Sequence, residues 1–226
     1  MTTYEQNFDT VLQRIEAIRL ETNEHQIIKI IAASKYVDKD AIREFYATGQ
    51  RAFGENRVQD MKAKVEALED LPLEWHFIGR LQSNKINMLL DLNPMLIHSV
   101  EDLKMAQEID KRAAVKGRKQ PILLQINSAR EETKAGIAPE KAVDEYQKIK
   151  ESCPNLSPKG VMTIGAHTDD TAKIRESFET TYQIFDTLKK DGAKYCSMGM
   201  SNDFELAIRC GSNMLRLGSI LFKGAS

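Results

Sequence analysis

Eight short apolar runs alternate with amphipathic stretches along this chain, and that alternation constrains the fold more than any other feature of the sequence. The runs are "IIKIIAAS", "RAFGEN", "LEWHFIG", "MLIHSV", "PILLQIN", "PKGVMTIG", "YCSMGM" and "MLRLGS". Segments with helical spacing lie between them, at 38–48, 57–69, 83–90, 100–115, 139–152, 172–190 and 202–210, and a further helix at about 4–22 precedes the first run. Strand–helix units joined by short loops require parallel strands with right-handed crossovers. Eight such units close naturally into a (β/α)8 TIM-type barrel, with a doubly wound open sheet as the alternative. Small and polar residues gather where the apolar runs end: Ser34–Lys35, Glu55–Asn56, Gly79, Asn127, Ser201 and Gly218–Ser219. In a barrel those ends share one face, where active sites are built, so the barrel with an additional N-terminal helix is the expected fold. A chain of 226 residues fits one such domain, and no linker of domain-separating length divides 1–226. The longest irregular pieces, "NSAREETKAGIAPE" and "GAHTDDTAK", read as loops on that same face.

Charge excludes some functions. With 32 basic against 33 acidic side chains the net charge is −1, which gives no electrostatic case for nucleic acid or an anionic membrane surface. The N-terminus "MTTYEQNFDT" lacks the basic flank and apolar core of a signal peptide, and no apolar run approaches a membrane span. A cytoplasmic location is the expectation. Cys153, Cys196 and Cys210 are odd in number and lack CxxC spacing, so they read as reduced thiols in the core. His25, His76, His98 and His167 form no HxxxH or HExxH pattern, and no metal site is expected.

The chemistry begins at Lys35, an amine at the mouth of the first strand. A lysine beside a partly apolar pocket loses proton affinity by desolvation, and the neutral amine forms imines with aldehydes. A plain rim lysine is the competing reading. At the other end of the chain, "MLRLGSILF" places Arg216, Gly218 and Ser219 at the close of the last strand. Glycine admits a ligand to the backbone, and successive amides at a strand-to-helix turn attract an anion. In barrels the loops after strands seven and eight commonly hold phosphate, and "GMSND" puts Ser201 in the seventh, where it also reads as a helix N-cap. An imine-forming lysine and a phosphate cradle together describe a site for a phosphorylated aldehyde. Pyridoxal 5′-phosphate fits that description, and so does a phosphosugar held by a Schiff-base aldolase.

Seven motifs occur in order: "AASK" around Lys35, "FGEN" at 53–56, "EWHFIGRLQSNK" at 74–85, "INSAREETKAGI" at 126–137, "GVMTI" at 160–164, "SMGMSNDFELAI" at 197–208 and "MLRLGSILF" at 214–222. Through them the chain resembles, nearly end to end, the pyridoxal phosphate homeostasis protein family, single-domain relatives of the alanine racemase barrel. The resemblance implies pyridoxal 5′-phosphate as cofactor, held as an imine on Lys35. Ser201, Gly218 and Ser219 correspond to phosphate contacts, Arg216 faces the pyridine nitrogen, and Asn56, His76 and Met162 match positions lining the pocket. For the last three a structural role competes: Asn56 as a helix cap, His76 as a satisfied core histidine and Met162 as barrel core. The charged "NSAREETK" is most simply a solvated loop, although Arg130 and Lys134 have the placement to guard the entrance. The chain departs from the family pattern at Ser219, where threonine is frequent, at Arg80, where proline is common, and at Lys223, which intervenes before Gly224.

Carrier and enzyme make different demands on these residues. An arginine is always charged, so a pyridine nitrogen beside it stays unprotonated and the ring is a poorer electron sink. Racemases of this barrel add an acid–base residue from a second domain and a partner subunit, and a chain ending at Ser226 directly after the barrel is expected to lack it. The expectation is a monomeric protein that holds pyridoxal phosphate for intracellular vitamin B6 homeostasis, with apo-enzymes of that cofactor as recipients and without strong turnover. The alternative is a small amino-acid racemase.

Overall fold

In the computed structural model, which describes residues 2–131 and 134–224, the eight expected strands close into one parallel barrel in sequence order. They are β1 (Lys29–Ala33), β2 (Ala52–Glu55), β3 (Glu74–Phe77), β4 (Leu96–Val100), β5 (Gln120–Ile126), β6 (Leu156–Thr163), β7 (Tyr195–Ser197) and β8 (Met214–Leu217). The helices are α1 (Thr3–Thr22), α2 (Lys39–Ala47), α3 (Val58–Ala67), α4 (Ile86–Asp91), α5 (Leu103–Val115), α6 (Ala142–Ser152), α7 (Thr171–Leu188), α8 (Phe204–Arg209) and α9 (Ser219–Phe222). Closure rests on β1 pairing with β8, where Ile31 stands opposite Arg216 and Ala32 opposite Leu217.

Successive side chains of a strand point to opposite faces, and the strands sort their residues accordingly. Ile31, Ala52, Leu96, Leu123, Met162 and Met214 pack together inside the barrel. Their neighbours, such as Ala32, Phe53, Ile97, Val161 and Leu215, face the helices and form the larger core. The inner face also carries ionisable groups, because Lys29, Glu74, His76 and Arg216 pair in register with residues of that face.

Helix α1 starts with a capping box: Thr2 Oγ1 accepts from the Glu5 amide and Glu5 Oε2 accepts from the Thr2 amide. Its buried Tyr4, Val11, Ile15 and Ile18 pack over the seam, and Asn7 Nδ2 donates to the carbonyls of Leu221 and Lys223, at 3.1 and 2.9 Å. The chain after Phe222 therefore turns back toward α1 through Gly224, whose φ is +79°; the last two positions, 225–226, lie outside the described residues, as does the tip of the 127–140 loop at 132–133.

Several boundaries differ from the sequence reading for identifiable reasons. β1 begins at Lys29, since Ile27 is 86% exposed despite belonging to the apolar run. β4 keeps Val100, and α5 starts only at Leu103, because the Asp102 side chain accepts from the Met105 amide and caps it there. The stretch at 83–90 enters as a 3₁₀ turn, Ser83–Lys85, before α4. α8 is shorter than its pattern: the N-cap is Asp203, and Ser201 does not cap it but accepts from amides at the start of α9. Among the described residues no helix is long and apolar enough to cross a membrane.

Candidate functional site

The C-terminal strand ends bring Lys35 and the Gly218–Ser219 turn to neighbouring strands across the β1–β8 seam. Lys35 lies two residues beyond β1 and is exposed, its Nζ 4.8 Å from the centroid of the exposed Tyr36 ring. The backbone beneath it is held from behind. Ser34 is buried, its Oγ donates to Glu55 Oε1 at 2.5 Å, and Lys64 Nζ on α3 donates both to the Ser34 carbonyl and to Glu55 Oε1, each at 2.7 Å. A fully buried carboxylate is tolerated only when paired, and Lys64 provides the pair. The sequence reading placed Glu55 at a strand end without giving it a partner, and it passed over Lys64. Their signal was parity: Glu55 follows Phe53 on the helix-facing side of β2, so its partner had to come from the helix packed there.

Asn56 is half-buried at the end of β2. It does not cap α3, which begins after Arg57 without a side-chain cap. Instead its backbone passes so close to β3 that a Cβ on Gly79 would fall 2.0 Å from the Asn56 carbonyl oxygen. The glycine of "HFIG" is required by that crossing.

At the seventh and eighth strand ends the backbone converges on one hydroxyl. Ser201 Oγ accepts from the amides of Gly218 at 3.2 Å and Ile220 at 3.3 Å. Two amides pointing at one oxygen form a concave donor surface of the type that receives an anion. Gly218 is half-buried against β1, Ser219 is exposed, and a Cβ at Gly218 would crowd the Ala33 carbonyl at 3.3 Å. Gly199, at φ +98°, shapes the preceding loop; any side chain there would strike Ala207.

Beneath the mouth, Arg216 is buried and donor-saturated on one side: Nη1 donates to the Ser197 carbonyl at 2.9 Å and to Ser197 Oγ at 2.7 Å, while Nη2 donates to the Thr163 carbonyl at 2.7 Å. Burial lowers its pKa to about 10, against the pull of Asp203. It stays a cation at neutral pH. Ser197 Oγ lies 3.2 Å from His98 Nδ1, and His98 Nε2 lies 3.0 Å from His76 Nδ1. Both imidazoles are buried, and burial, more than any neighbouring charge, pushes their pKa values down, that of His98 well below the ordinary 6.5. His76 Nε2 has no partner within hydrogen-bond distance and faces Glu74 Oε2 at 4.0 Å. Glu74 also pairs with Lys29, and contact with His76 and then with Lys29 outweighs partial burial to hold its carboxyl at about 2. Met162 is buried in the inner layer beside these groups.

The structure thus gathers Lys35, Ser201, Gly218 and Ser219 at the rim, with Arg216 just below, while His76 and Met162 occupy deeper layers of the barrel interior. On the same face a cleft of about 260 Å³ is lined by residues that include Gly79, Arg80, Glu101, Asn127, Lys134 and Ile164. Lys134 Nζ donates to Glu131 Oε1 and to the Gly165 carbonyl, both at 2.9 Å, and so ties the loop after β5 to the loop after β6. Arg130 pairs with Glu140 on the outside, and Arg80 with Glu101. A larger depression of about 850 Å³, between α4 and α5, holds none of the site residues.

Known proteins share this fold and much of this sequence. The family model "Alanine racemase, N-terminal domain" matches residues 7–226. A pyridoxal phosphate homeostasis protein of Helicobacter pylori (strain J99 / ATCC 700824) is 53% identical over 223 residues, covering 99% of this chain and all of that one. A crystal structure of an unknown protein from Bifidobacterium adolescentis superimposes with a TM-score of 0.91 at 33% identity, over 96% of this chain and 94% of the other. PipY of Synechococcus elongatus PCC7942, solved with PLP bound, superimposes with a TM-score of 0.80 at 33% identity, over 93% of this chain and 98% of that one.

Proposed function

Since the chain belongs to the pyridoxal phosphate homeostasis protein family, on the alanine racemase N-terminal barrel, we propose that it binds pyridoxal 5′-phosphate and takes part in the homeostasis of that cofactor, with Lys35 as its covalent anchor. The convergence of the Gly218 and Ile220 amides on Ser201 Oγ, across the seam from Lys35, carries the reading. The residues present fit the group. A phosphate finds amides and hydroxyls at Ser201, Gly218 and Ser219, an aldehyde finds an exposed primary amine, and a pyridine nitrogen finds the buried cation of Arg216. The PLP-bound relative of the same fold supports the choice of ligand.

Each residue has a distinct task. Lys35 Nζ would hold the aldehyde as an imine, with loss of one water, which would protect a reactive carbonyl from stray amines. The Glu55–Lys64 pair fixes Ser34 and so directs the backbone from which Lys35 projects. Ser201, Gly218 and Ser219 hold the phosphate, and Asn56 borders the mouth on the other side of Lys35, at the end of β2. His76 and Met162 shape the pocket from below. Arg216 stays charged and keeps the ring nitrogen unprotonated, which weakens the ring as an electron sink and favours holding the cofactor over turnover. Recipients on this reading are apo-enzymes that need the cofactor, served by a monomer in the cytoplasm.

Borohydride tests the anchor, because it converts a reversible imine into a stable secondary amine. In the parent protein, reduction is expected to fix the cofactor on the peptide containing "AASKYVDK". In Lys35→Ala that adduct disappears while weak, non-covalent binding through the phosphate contacts persists. Attachment at another lysine in the parent, with Lys35 unmodified, sinks the assignment. Rapid racemisation of an amino acid by the purified parent would replace the carrier reading with the racemase.

A further inference from the structure

The polar chain inside the barrel has a feature that its individual contacts do not display: a donor-only group at one end and an acceptor-only group at the other. Arg216 at the top can only donate, and it donates to Ser197 Oγ. The Glu74 carboxylate at the bottom can only accept. Between them lie one hydroxyl and two imidazoles, each able to act in either direction.

Only one arrangement of hydrogens satisfies every link. Ser197 Oγ, accepting from Arg216, directs its own hydrogen to His98 Nδ1. His98 then carries its hydrogen on Nε2 and donates to His76 Nδ1. His76 in turn carries its hydrogen on Nε2, turned toward Glu74. The last contact, at 4.0 Å, is longer than a hydrogen bond, yet it still decides the direction. Reversing the chain would set the bare lone pair of His76 Nε2 against a carboxylate and leave the Ser197 hydrogen without an acceptor. Protonating His76 on Nδ1 would set two N–H groups facing each other at 3.0 Å.

We propose that Glu74, His76, His98 and Ser197 form a one-way relay that positions Arg216 from the floor of the barrel, with both imidazoles neutral and carrying hydrogen on Nε2. The charged groups around it are consistent with this. His98 faces His76, Arg216 and Lys29, all of which discourage a proton on it, and His76 faces Lys29 as well as Glu74. Asp203, the acid on the far side of Arg216, acts from the β7–α8 loop and does not touch the relay. His98, Ser197 and Glu74 are thereby assigned as positioning residues for the guanidinium. Their consequence for cofactor binding rests on the function proposed above; the relay itself does not.

Long-range ¹H–¹⁵N spectra of the cofactor-free parent test the relay directly. Both His76 and His98 are expected as neutral Nε2–H tautomers at about pH 7.5. An Nδ1–H tautomer at either residue, or protonation of either at that pH, overturns it. In Glu74→Gln the amide offers both a donor and an acceptor, so His76, and His98 with it, is expected to become a mixture of tautomers; unchanged tautomers overturn the role of Glu74. Lys29→Gln breaks the ion pair but keeps the carboxylate, and both tautomers are expected to survive. For the positioning role, protein loaded with pyridoxal 5′-phosphate is followed by absorbance. Release is expected to accelerate about two- to tenfold in His98→Leu and Glu74→Gln, the scale of one lost hydrogen bond, and to stay near the parent rate in Lys29→Gln. Parent-like release in both variants overturns the positioning role. A parent that takes up no cofactor refutes the proposed function instead, and the tautomers still decide the relay.

Discussion

A buried histidine that stays neutral leaves its mark on stability as pH falls. Burial depresses the folded-state pKa of His98 well below 6.5 and lowers that of His76, so below about pH 6.5 the unfolded chain binds protons that the folded one does not. Stability is therefore full above that pH and is lost as pH falls through it, at up to about 1.4 kcal/mol per pH unit for each histidine. Urea titrations between about pH 7.5 and 5 are expected to show that slope, and His98→Leu to roughly halve it whatever its effect on stability at pH 7.5. A slope equal to the parent's in the variant would remove His98 as its source. Glu74 acts in a separate window: its depressed pKa stabilises the fold above about 4.5 and loses that effect toward about 2. At this scale the sequence was legible for the residues that the fold places at strand ends. Lys35, Ser201, Gly218 and Ser219 all sit where the apolar runs stop. Glu55, Lys64, His98 and Ser197 were not legible, because a buried polar group is understood only through its partner, and those partners lie on other strands and helices.

Elements meet at backbone distances that leave no space for a side chain, and Gly79 at the end of β3 is the clearest instance for the site. It is not in a left-handed conformation, so substitution there acts through sterics alone: a Cβ would sit 2.0 Å from the backbone oxygen of Asn56. Gly79→Ala is expected to push β3 away from the end of β2, at a cost of about 1–3 kcal/mol or more, and to weaken cofactor retention with it. Unchanged thermal stability and unchanged retention would mean that the crossing has slack. The number, type and order of elements were readable from the alternation of apolar and amphipathic runs, but several ends were not. Ile27 extends the apolar run without being buried, and α5 waits for its cap at Asp102 because Val100 is held in β4 by pairing with Leu124 of β5, distant in sequence. The β7 reading ran to Met200, yet the strand stops at Ser197, with Gly199 turning the chain at a φ that only glycine adopts easily.

Across the whole molecule the site depends on closure, and α1 lies over the place where the barrel closes. Asn7 connects that helix to the carbonyls of Leu221 and Lys223, on the segment that begins with Ser219. Asn7→Ala removes two donated hydrogen bonds of about 1 kcal/mol each and is expected to speed amide exchange in 219–224 and to loosen cofactor binding. Exchange and retention equal to the parent's would show that α9 is held by its apolar packing alone. The seam beneath α1 joins the first strand to the last, and this has a temporal consequence. Lys35 leaves the ribosome early, while Gly218 and Ser219 follow only after nearly the whole chain has been made, and neither half of the site can retain the ligand firmly without the other. On the proposed reading, capture of the cofactor waits for translation to run past β8, so a nascent or prematurely terminated chain carries the amine but no means of keeping what it catches.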